Sequence, residues 1–180
     1  MVIAGFAIPS PGAGTGGPGY GDNSQYHPLG KASNPELLIV PAIKLKAPIV
    51  PIDLGSDGVL TPPSDVSEVG WWTGSAKPGA TKGQTVVTGH TVHTGGGVMD
   101  RLGDLRPGAL VQIKTKNGTV DYAATKVFVY TKAQLAKHRF EVLGQDRADY
   151  RLVLITCIDW NGHDYESNVI VYADELGVHN

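Results

Sequence analysis

Cysteine is nearly absent from this 180-residue chain, which contains only Cys157. One cysteine cannot form an internal disulfide, so the cysteine count assigns the protein to neither an oxidising nor a reducing compartment. Charge is also sparse, since charged residues make up 18% of the chain against about 25% in average soluble proteins. The net charge of -2 supplies no basic field, which argues against a nucleic-acid partner.

Long hydrophobic runs are missing as well. Residues 1–8 are apolar but fall far short of the roughly 20 residues that cross a bilayer. They also lack the basic start and the cleavage site of a signal peptide. We expect the chain as given to be soluble, with residues 1–8 as the remnant of a removed anchor if the natural protein begins upstream.

Glycine and proline are concentrated near the start of the chain. Residues 9–34 are rich in Gly, Pro, Ser and Asn, and offer little to bury beyond Tyr20, Tyr26 and Leu29. Such a segment cannot offset the entropy of its own ordering. We therefore predict a flexible arm over residues 1–34, acting as a spacer, and one folded domain over residues 35–180.

Short apolar segments separated by turn signals fill that domain. The clearest hairpin joins residues 109–115 and 119–130, because Asn117-Gly118 accepts the positive φ angles of a tight turn. About eight such strands with two or three short helices indicate an all-β barrel or sandwich. The other predicted strands include residues 36–40, 47–52, 84–90, 151–157 and 168–173.

Two capping-box patterns predict the helical segments. Asp65 with Glu68 predicts one helical turn, and Thr131 with Gln134 predicts a helix that ends near His138. A third turn is expected over residues 98–105, whereas residues 140–150 are polar and predict a loop.

Cys157 and His90 each end a predicted strand. The apolar strand 151–157 ends on the cysteine, and strand 84–90 ends on the histidine that follows Gly89. A thiol with a pKa of about 8.5 is mostly protonated near neutral pH, and a nearby imidazolium favours the reactive thiolate. The same group can protonate a leaving amine after attack on a carbonyl. The pattern predicts a cysteine nucleophile with a histidine partner; the alternative is an inert buried thiol.

Two motifs around this pair resemble a known family. Thr88-Gly89-His90 and Leu154-Ile155-Thr156-Cys157 are similar to the two signature segments of the sortases, the cysteine transpeptidases of Gram-positive cell surfaces. The resemblance runs from about residue 37 to residue 175. Segments 50–52, 69–72, 101–108 and 168–173 look most like the actinobacterial class F and class E sortases.

The resemblance implies a fold and an activity. The expected fold is a closed eight-stranded sortase-type β-barrel, with residues 35–180 as the catalytic domain. Cys157 would form a thioester after cleaving an LPXTG-like sorting signal between Thr and Gly, and His90 would act as general acid and then as base. The expected partners are a protein carrying the signal and an amine of the cell wall or of a pilin lysine. Sortases are usually membrane-anchored on the extracellular face, so we expect membrane contact only through an N-terminal anchor absent from this sequence.

Asn168 departs from the family pattern. Most sortases carry an arginine at the start of the last strand, where it helps to bind the substrate backbone and the oxyanion. Alignment on residues 169–173 puts Asn168 in that place. A neutral amide donates hydrogen bonds without positive charge, and charged hydrogen bonds are about twice as strong. We take Asn168 as the third member of a variant triad, and Glu166 and Arg151 as unsuitable substitutes.

Four more residues are predicted to bind substrate. Thr156 could donate a hydrogen bond near the thiolate, although a β-branched residue in a strand needs no such role. Asp159 and Trp160 follow the nucleophile in the loop that borders the substrate groove in the family, and Trp160 could instead pack on the barrel. His93 is expected at the rim of the pocket.

A metal site is the weaker interpretation of the histidines. His90 and His93, with His163 or Cys157, offer ligands that suit zinc. Their three-residue spacing lies on a loop, so we expect neither a metal nor another cofactor. Two alternatives to a transpeptidase stay open: a non-catalytic surface β-barrel that binds a partner, and a cysteine hydrolase that releases its acyl group to water.

Overall fold

The computed structural model describes residues 25–179 and contains nine strands and one α-helix within that range. The elements are β1 Tyr26–His27, β2 Pro35–Val40, β3 Leu45–Ile52, β4 Val69–Trp72, β5 Gly83–Gly89, β6 Leu110–Thr115, β7 Gly118–Thr131, α1 Lys132–Leu143, β8 Tyr150–Trp160 and β9 Tyr165–His179. Two 3-10 turns cover Pro41–Ile43 and Leu102–Asp104.

Eight of the strands close into a barrel, as predicted. The neighbours run β9-β7-β6-β2-β3-β4-β5-β8, and β8 pairs again with β9. The two-residue strand β1 adds to the end of β9. Closure leaves no long unpaired edge among these eight strands, and unpaired edges are the usual liability of a β-sheet.

Two pairs of neighbouring strands are parallel, and one of them organises the site. β3 pairs with β4 and β5 pairs with β8 in parallel, whereas the remaining pairs are antiparallel. Because β5 and β8 run in the same direction, both end at the same rim of the barrel. Each of these ends carries one half of the predicted thiol and imidazole pair.

Alternation along the strands divides the apolar residues into two clusters. The larger cluster fills the barrel and contains Leu152 and Leu154 of β8 with Val169 and Val171 of β9. The second cluster lies on the outside of the same strands. It comprises Val86, Val142, Val153, Ile155, Ile170 and Tyr172, and the side chains of Leu135 and Leu143 on α1 pack against it. The helix therefore covers part of the outer face of β5, β8 and β9.

Polar contacts fix the end of that helix. Arg151 is 9% exposed and donates from Nε to Gln84 Oε1 at 2.8 Å, and from a terminal guanidinium nitrogen to Glu141 O at 2.6 Å. Gln84 Nε2 in turn donates to Val142 O at 2.8 Å. The predicted capping box at Thr131 is present, and α1 continues to Leu143, five residues beyond the predicted end. Packing of Val142 on the outer cluster accounts for the extension.

The helical turn predicted at Asp65 is wrong. Asp65 Oδ1 accepts from Ser67 N at 2.8 Å and closes a local turn, but residues from Val69 onward form strand β4. Glu68 N donates to Asp65 O at 3.2 Å, so residues 65–68 form a single reverse turn, not a helical one, that leads directly into β4.

Residues 1–24 of the predicted arm lie outside the described residues. Its last ten residues contact the barrel: Tyr26 and His27 pair with β9, and Leu29 is 7% exposed. The boundary at residue 34 stays a prediction. None of the helices within residues 25–179 has the length and apolarity to span a bilayer.

Candidate active site

The three residues predicted to carry the chemistry lie on three adjacent strands. Thr88 of β5 is registered with Ile155 of β8, so His90, one residue past β5, comes beside Cys157. On the other side of β8, Cys157 lies directly opposite Asn168 of β9. The structure therefore brings these three residues together at one rim of the barrel.

Side-chain alternation sends the three residues to the same face. Val153 and Ile155 belong to the outer cluster, and Cys157 continues that series along β8. Ile170 and Tyr172 place Asn168 on the outer face of β9 by the same rule. On β5, Val86 also belongs to the outer cluster, and His90, four residues later, lies on the same face by alternation. Thiol, imidazole and amide thus project beside α1, outside the barrel.

The Cys157 thiol is half-buried, and its environment opposes ionisation. Desolvation is the largest influence and raises the pKa of Cys157 above its ordinary value, with a further rise from the Asp164 carboxylate. The Lys132 ammonium and a hydrogen bond from Asn168 lower that pKa. Asn168 Nδ2 lies 3.7 Å from Cys157 Sγ and 3.4 Å from Thr156 O. The surroundings of Cys157 therefore disfavour the thiolate and supply one neutral donor, Asn168, beside the sulfur.

Thr156 joins the ends of the two strands from inside the barrel. It is 2% exposed, and its hydroxyl donates to Gly89 O at 2.9 Å and lies 2.8 Å from Thr91 Oγ1. Gly89 is needed at this point, because a Cβ there would lie 2.9 Å from Val69 Cγ1 and 3.0 Å from Met99 Cγ. The side chain of Thr156 thus holds β5 and β8 in register next to the reactive pair.

His90 is held by a backbone carbonyl. Its Nε2 lies 2.7 Å from Pro63 O, in the loop between β3 and β4. Its own carbonyl oxygen accepts from Met99 N at 3.0 Å. The β3–β4 loop therefore holds the ring of His90, and the segment after β5 holds its main chain.

Asp100 closes the glycine-rich loop that follows His90. Its Oδ1 accepts from Val92 N at 2.7 Å, and its Oδ2 accepts from Gly97 N at 3.1 Å. Tyr165, at the start of β9, donates from its hydroxyl to Thr91 O at 2.7 Å. Side-chain contacts thus connect the loop after the histidine to the segment after the cysteine.

His93 and Trp160 strengthen that connection. Their rings are stacked with centroids 4.2 Å apart and planes 7° apart, and the Tyr165 ring lies 5.1 Å from Trp160. Both stacked residues are exposed, with Trp160 at 39%. Asp159 is exposed and has a φ of 64°, and it separates the paired positions Ile158 and Trp160. Trp160, His93 and Asp159 are therefore exposed, whereas Thr156 is buried.

Several residues of the site carry no signal that the sequence could reveal. Pro63 acts through its main-chain carbonyl, which every residue has. Lys132 and Asp164 contact each other at the site, although they are 32 residues apart in sequence. Asp100 and Tyr165 were not predicted either; a carboxylate three residues after the run of glycines is the one pattern that could have identified Asp100. Within residues 25–179, no three or more His, Cys, Asp or Glu side chains come together as a metal site.

Comparison with known families matches most of the folded domain. A family model described as the Sortase domain matches residues 38–176, most of the described barrel. None of the proteins of curated function compared with the chain matches it.

Solved structures share the fold at low sequence identity. Sortase C-1 from Actinomyces oris has a TM-score of 0.60 and 20% identity, over 77% of this chain and 70% of that one. Sortase A from Corynebacterium diphtheriae has a TM-score of 0.61 and 21% identity, over 81% of this chain and 61% of that one. Sortase C1 from Streptococcus suis has a TM-score of 0.60 and 21% identity, over 80% of this chain and 73% of that one.

Proposed function

Because this chain belongs to the sortase family of cysteine transpeptidases, we propose that it cleaves an LPXTG-like sorting signal between Thr and Gly. The threonyl group then passes through a thioester to an amine of the cell wall or of a pilin lysine. The observation that carries the proposal is the convergence of Cys157, His90 and Asn168 on one outer face of the barrel.

Acylation uses the thiol as nucleophile. Cys157 transfers its proton to neutral His90, and the resulting thiolate attacks the threonine carbonyl carbon to give a tetrahedral oxyanion. Protonated His90 donates a proton to the departing glycine nitrogen while the C–N bond breaks. The result is a threonyl thioester on Cys157, a neutral His90 and a free amine-terminated fragment.

Transfer reverses the roles of the same groups. Neutral His90 accepts a proton from the incoming amine as its nitrogen attacks the thioester carbon. The C–S bond then breaks, a new amide forms and Cys157 leaves as the thiolate. The family match favours this transpeptidation over a non-catalytic barrel or a simple hydrolase.

Asn168 is proposed as the donor for the developing charge. Its Nδ2 already lies within 3.7 Å of the sulfur, so it is close to the carbon that the sulfur attacks. A preorganised donor of this kind is worth about 10²–10³ in rate. A neutral amide can fill that role, without the long-range attraction of a cation.

Substrate contacts are proposed for the exposed residues next to the thiol. The stacked rings of His93 and Trp160 offer an apolar wall for the peptide, and Asp159 offers a hydrogen-bond acceptor at its edge. Thr156 acts indirectly, because its hydroxyl fixes the strand ends that carry the reactive pair. The proposed place of action is the extracellular face of the membrane, where sorting signals and wall amines meet.

Mass spectrometry tests the proposal directly. The protein is incubated with a peptide containing Leu-Pro-Ala-Thr-Gly, with and without triglycine as the amine. We expect an acyl adduct on Cys157 and a peptide joined to triglycine, and neither in Cys157→Ala, which should keep its thermal unfolding curve. Full turnover in Cys157→Ala would end the proposal. Exclusive release of the free acid at saturating triglycine would indicate a hydrolase instead.

A further inference from the structure

The contact between His90 and Pro63 determines which ring nitrogen carries hydrogen. A carbonyl oxygen can only accept a hydrogen bond, so His90 Nε2, 2.7 Å from Pro63 O, must be the donor. Each imidazole nitrogen has one in-plane position for a hydrogen or a lone pair. Nε2 is therefore fully used, and Nδ1 is the nitrogen left to exchange a proton.

The loop that supplies the carbonyl is anchored on both sides of Pro63. Before it, Leu54 and Leu60 form an antiparallel bridge, and Leu60 packs on the outer cluster. After it, Asp65 accepts from both the amide and the hydroxyl of Ser67. The proline ring itself fixes φ near −65°. These restraints keep the carbonyl of Pro63 aimed at the ring.

One short segment ties that loop to His90. Val98 N donates to Val66 O at 3.0 Å, and the next residue, Met99, donates from N to His90 O at 3.0 Å. Met99 is fully buried. Because consecutive amides hold the loop and the histidine, the segment 98–99 limits the separation of Pro63 and His90.

From these contacts we infer that Pro63 is a positioning residue that holds His90 with hydrogen on Nε2, so that Nδ1 delivers and receives the catalytic proton. This inference rests on the proposed function of His90. In acylation the Nδ1 proton goes to the departing nitrogen as the C–N bond breaks, which leaves neutral His90 with its hydrogen on Nε2. In transfer Nδ1 takes a proton from the incoming amine as the C–S bond breaks. Nε2 keeps its hydrogen throughout.

Nitrogen NMR of the ¹⁵N-histidine-labelled protein gives a readout that does not depend on turnover. For neutral His90, assigned by its loss in His90→Gln, we expect a protonated Nε2 and an unprotonated Nδ1. Pro63→Gly should weaken or remove the slowly exchanging Nε2 hydrogen and lower kcat with little change in KM. Pro107→Gly, the same change in a turn remote from His90, should alter neither. The opposite tautomer in the unmodified protein would overturn the inference.

Methylated histidines at position 90 test the atom that moves the proton. Methylation of Nδ1 keeps the hydrogen bond to Pro63 but blocks the proposed acid, so turnover of the Leu-Pro-Ala-Thr-Gly peptide with triglycine should fall by about 10²-fold or more. Full turnover in that protein, together with an inactive His90→Ala, would overturn the inference and leave the proposed function standing. Full turnover in His90→Ala would overturn both.

Discussion

Cys157 and Asn168 face each other across the β8–β9 pair, with the amide nitrogen 3.7 Å from the sulfur. Asn168 occupies the position where the family resemblance predicts an arginine, and its Nδ2 also points at Thr156 O, 3.4 Å away. A neutral donor is thus fixed at the sulfur by strand pairing rather than by an ion pair.

Replacement of Asn168 by aspartate tests that donor. Asn168→Asp keeps the size of the side chain but replaces N–H with a carboxylate, which repels both thiolate and oxyanion. We expect the rate of acyl-enzyme formation to fall about 10²–10³-fold, as measured by rapid-quench mass spectrometry. Asn117→Asp, in the β6–β7 turn, is the matched control and should keep the rate. An unchanged rate in Asn168→Asp would remove Asn168 from the site.

Alkylation of Cys157 should depend on pH in a way set by its neighbours. Burial raises the thiol pKa, so labelling by iodoacetamide should accelerate with rising pH, with its midpoint above the ordinary thiol value. Asp164→Asn removes a charge that raises this pKa, so the midpoint should move down; Lys132→Gln should move it up. Asp149→Asn, at the far end of β8, is the control. Shifts in the opposite directions would contradict this account of the thiol.

Thr156 should matter for both stability and reactivity. Thr156→Val is nearly isosteric but leaves Gly89 O without its buried partner, and such a loss costs about 1–3 kcal/mol. Urea denaturation should show that decrease in the free energy of unfolding. Acylation should slow as well, since the strand ends lose their link. Thr156→Ser retains the hydroxyl and should recover most of the rate; a defect in Thr156→Ser as large as in Thr156→Val would show that the hydroxyl alone does not account for the effect.

Arg151 is predicted to act on stability alone. Arg151→Met leaves Gln84 Oε1 without its donor, takes one of two donors from Glu141 O and removes the guanidinium stacked 3.8 Å from the Tyr172 ring centroid. We expect the free energy of unfolding to fall by about 3 kcal/mol, while thiol alkylation of the folded protein is unchanged. Arg139→Met, on the exposed side of α1, should change stability by less than about 0.5 kcal/mol. A loss of reactivity in folded Arg151→Met would show that the network reaches the site.

The barrel and the pairing of Cys157 with His90 could be predicted, because the apolar patterns in the sequence indicate the strands that form the barrel and position both residues. The apolar runs before Cys157 and His90 end at these two residues, and the Asn117-Gly118 signal marks the hairpin between β6 and β7. The sortase family prediction is confirmed by the family model, whereas the class F or E branch stays a prediction. The placement of Asn168 followed from the apolar residues after it, which register β9 against β8.

What the sequence could not predict depends on contacts between distant segments. Pro63 acts through a carbonyl, and the Lys132 charge comes near enough to lower the thiol pKa because β7 and β9 pair through Thr131 and Ser167. The end of α1 was misplaced because no helix-stop signal or apolar periodicity marks residues 139–143 in the sequence, and the outer cluster that buries Val142 is formed by distant strands. At Asp65 the capping pattern marked a reverse turn into β4 rather than a helical turn, because Asp65 caps Ser67 locally.

Strand β9 completes the barrel, since it pairs with both β7 and β8. During synthesis, thiol and imidazole are therefore both present in the nascent polypeptide before the last strand can hold the amide against the sulfur. The arrangement of Cys157, His90 and Asn168 is therefore complete only once β9 has paired with both β7 and β8.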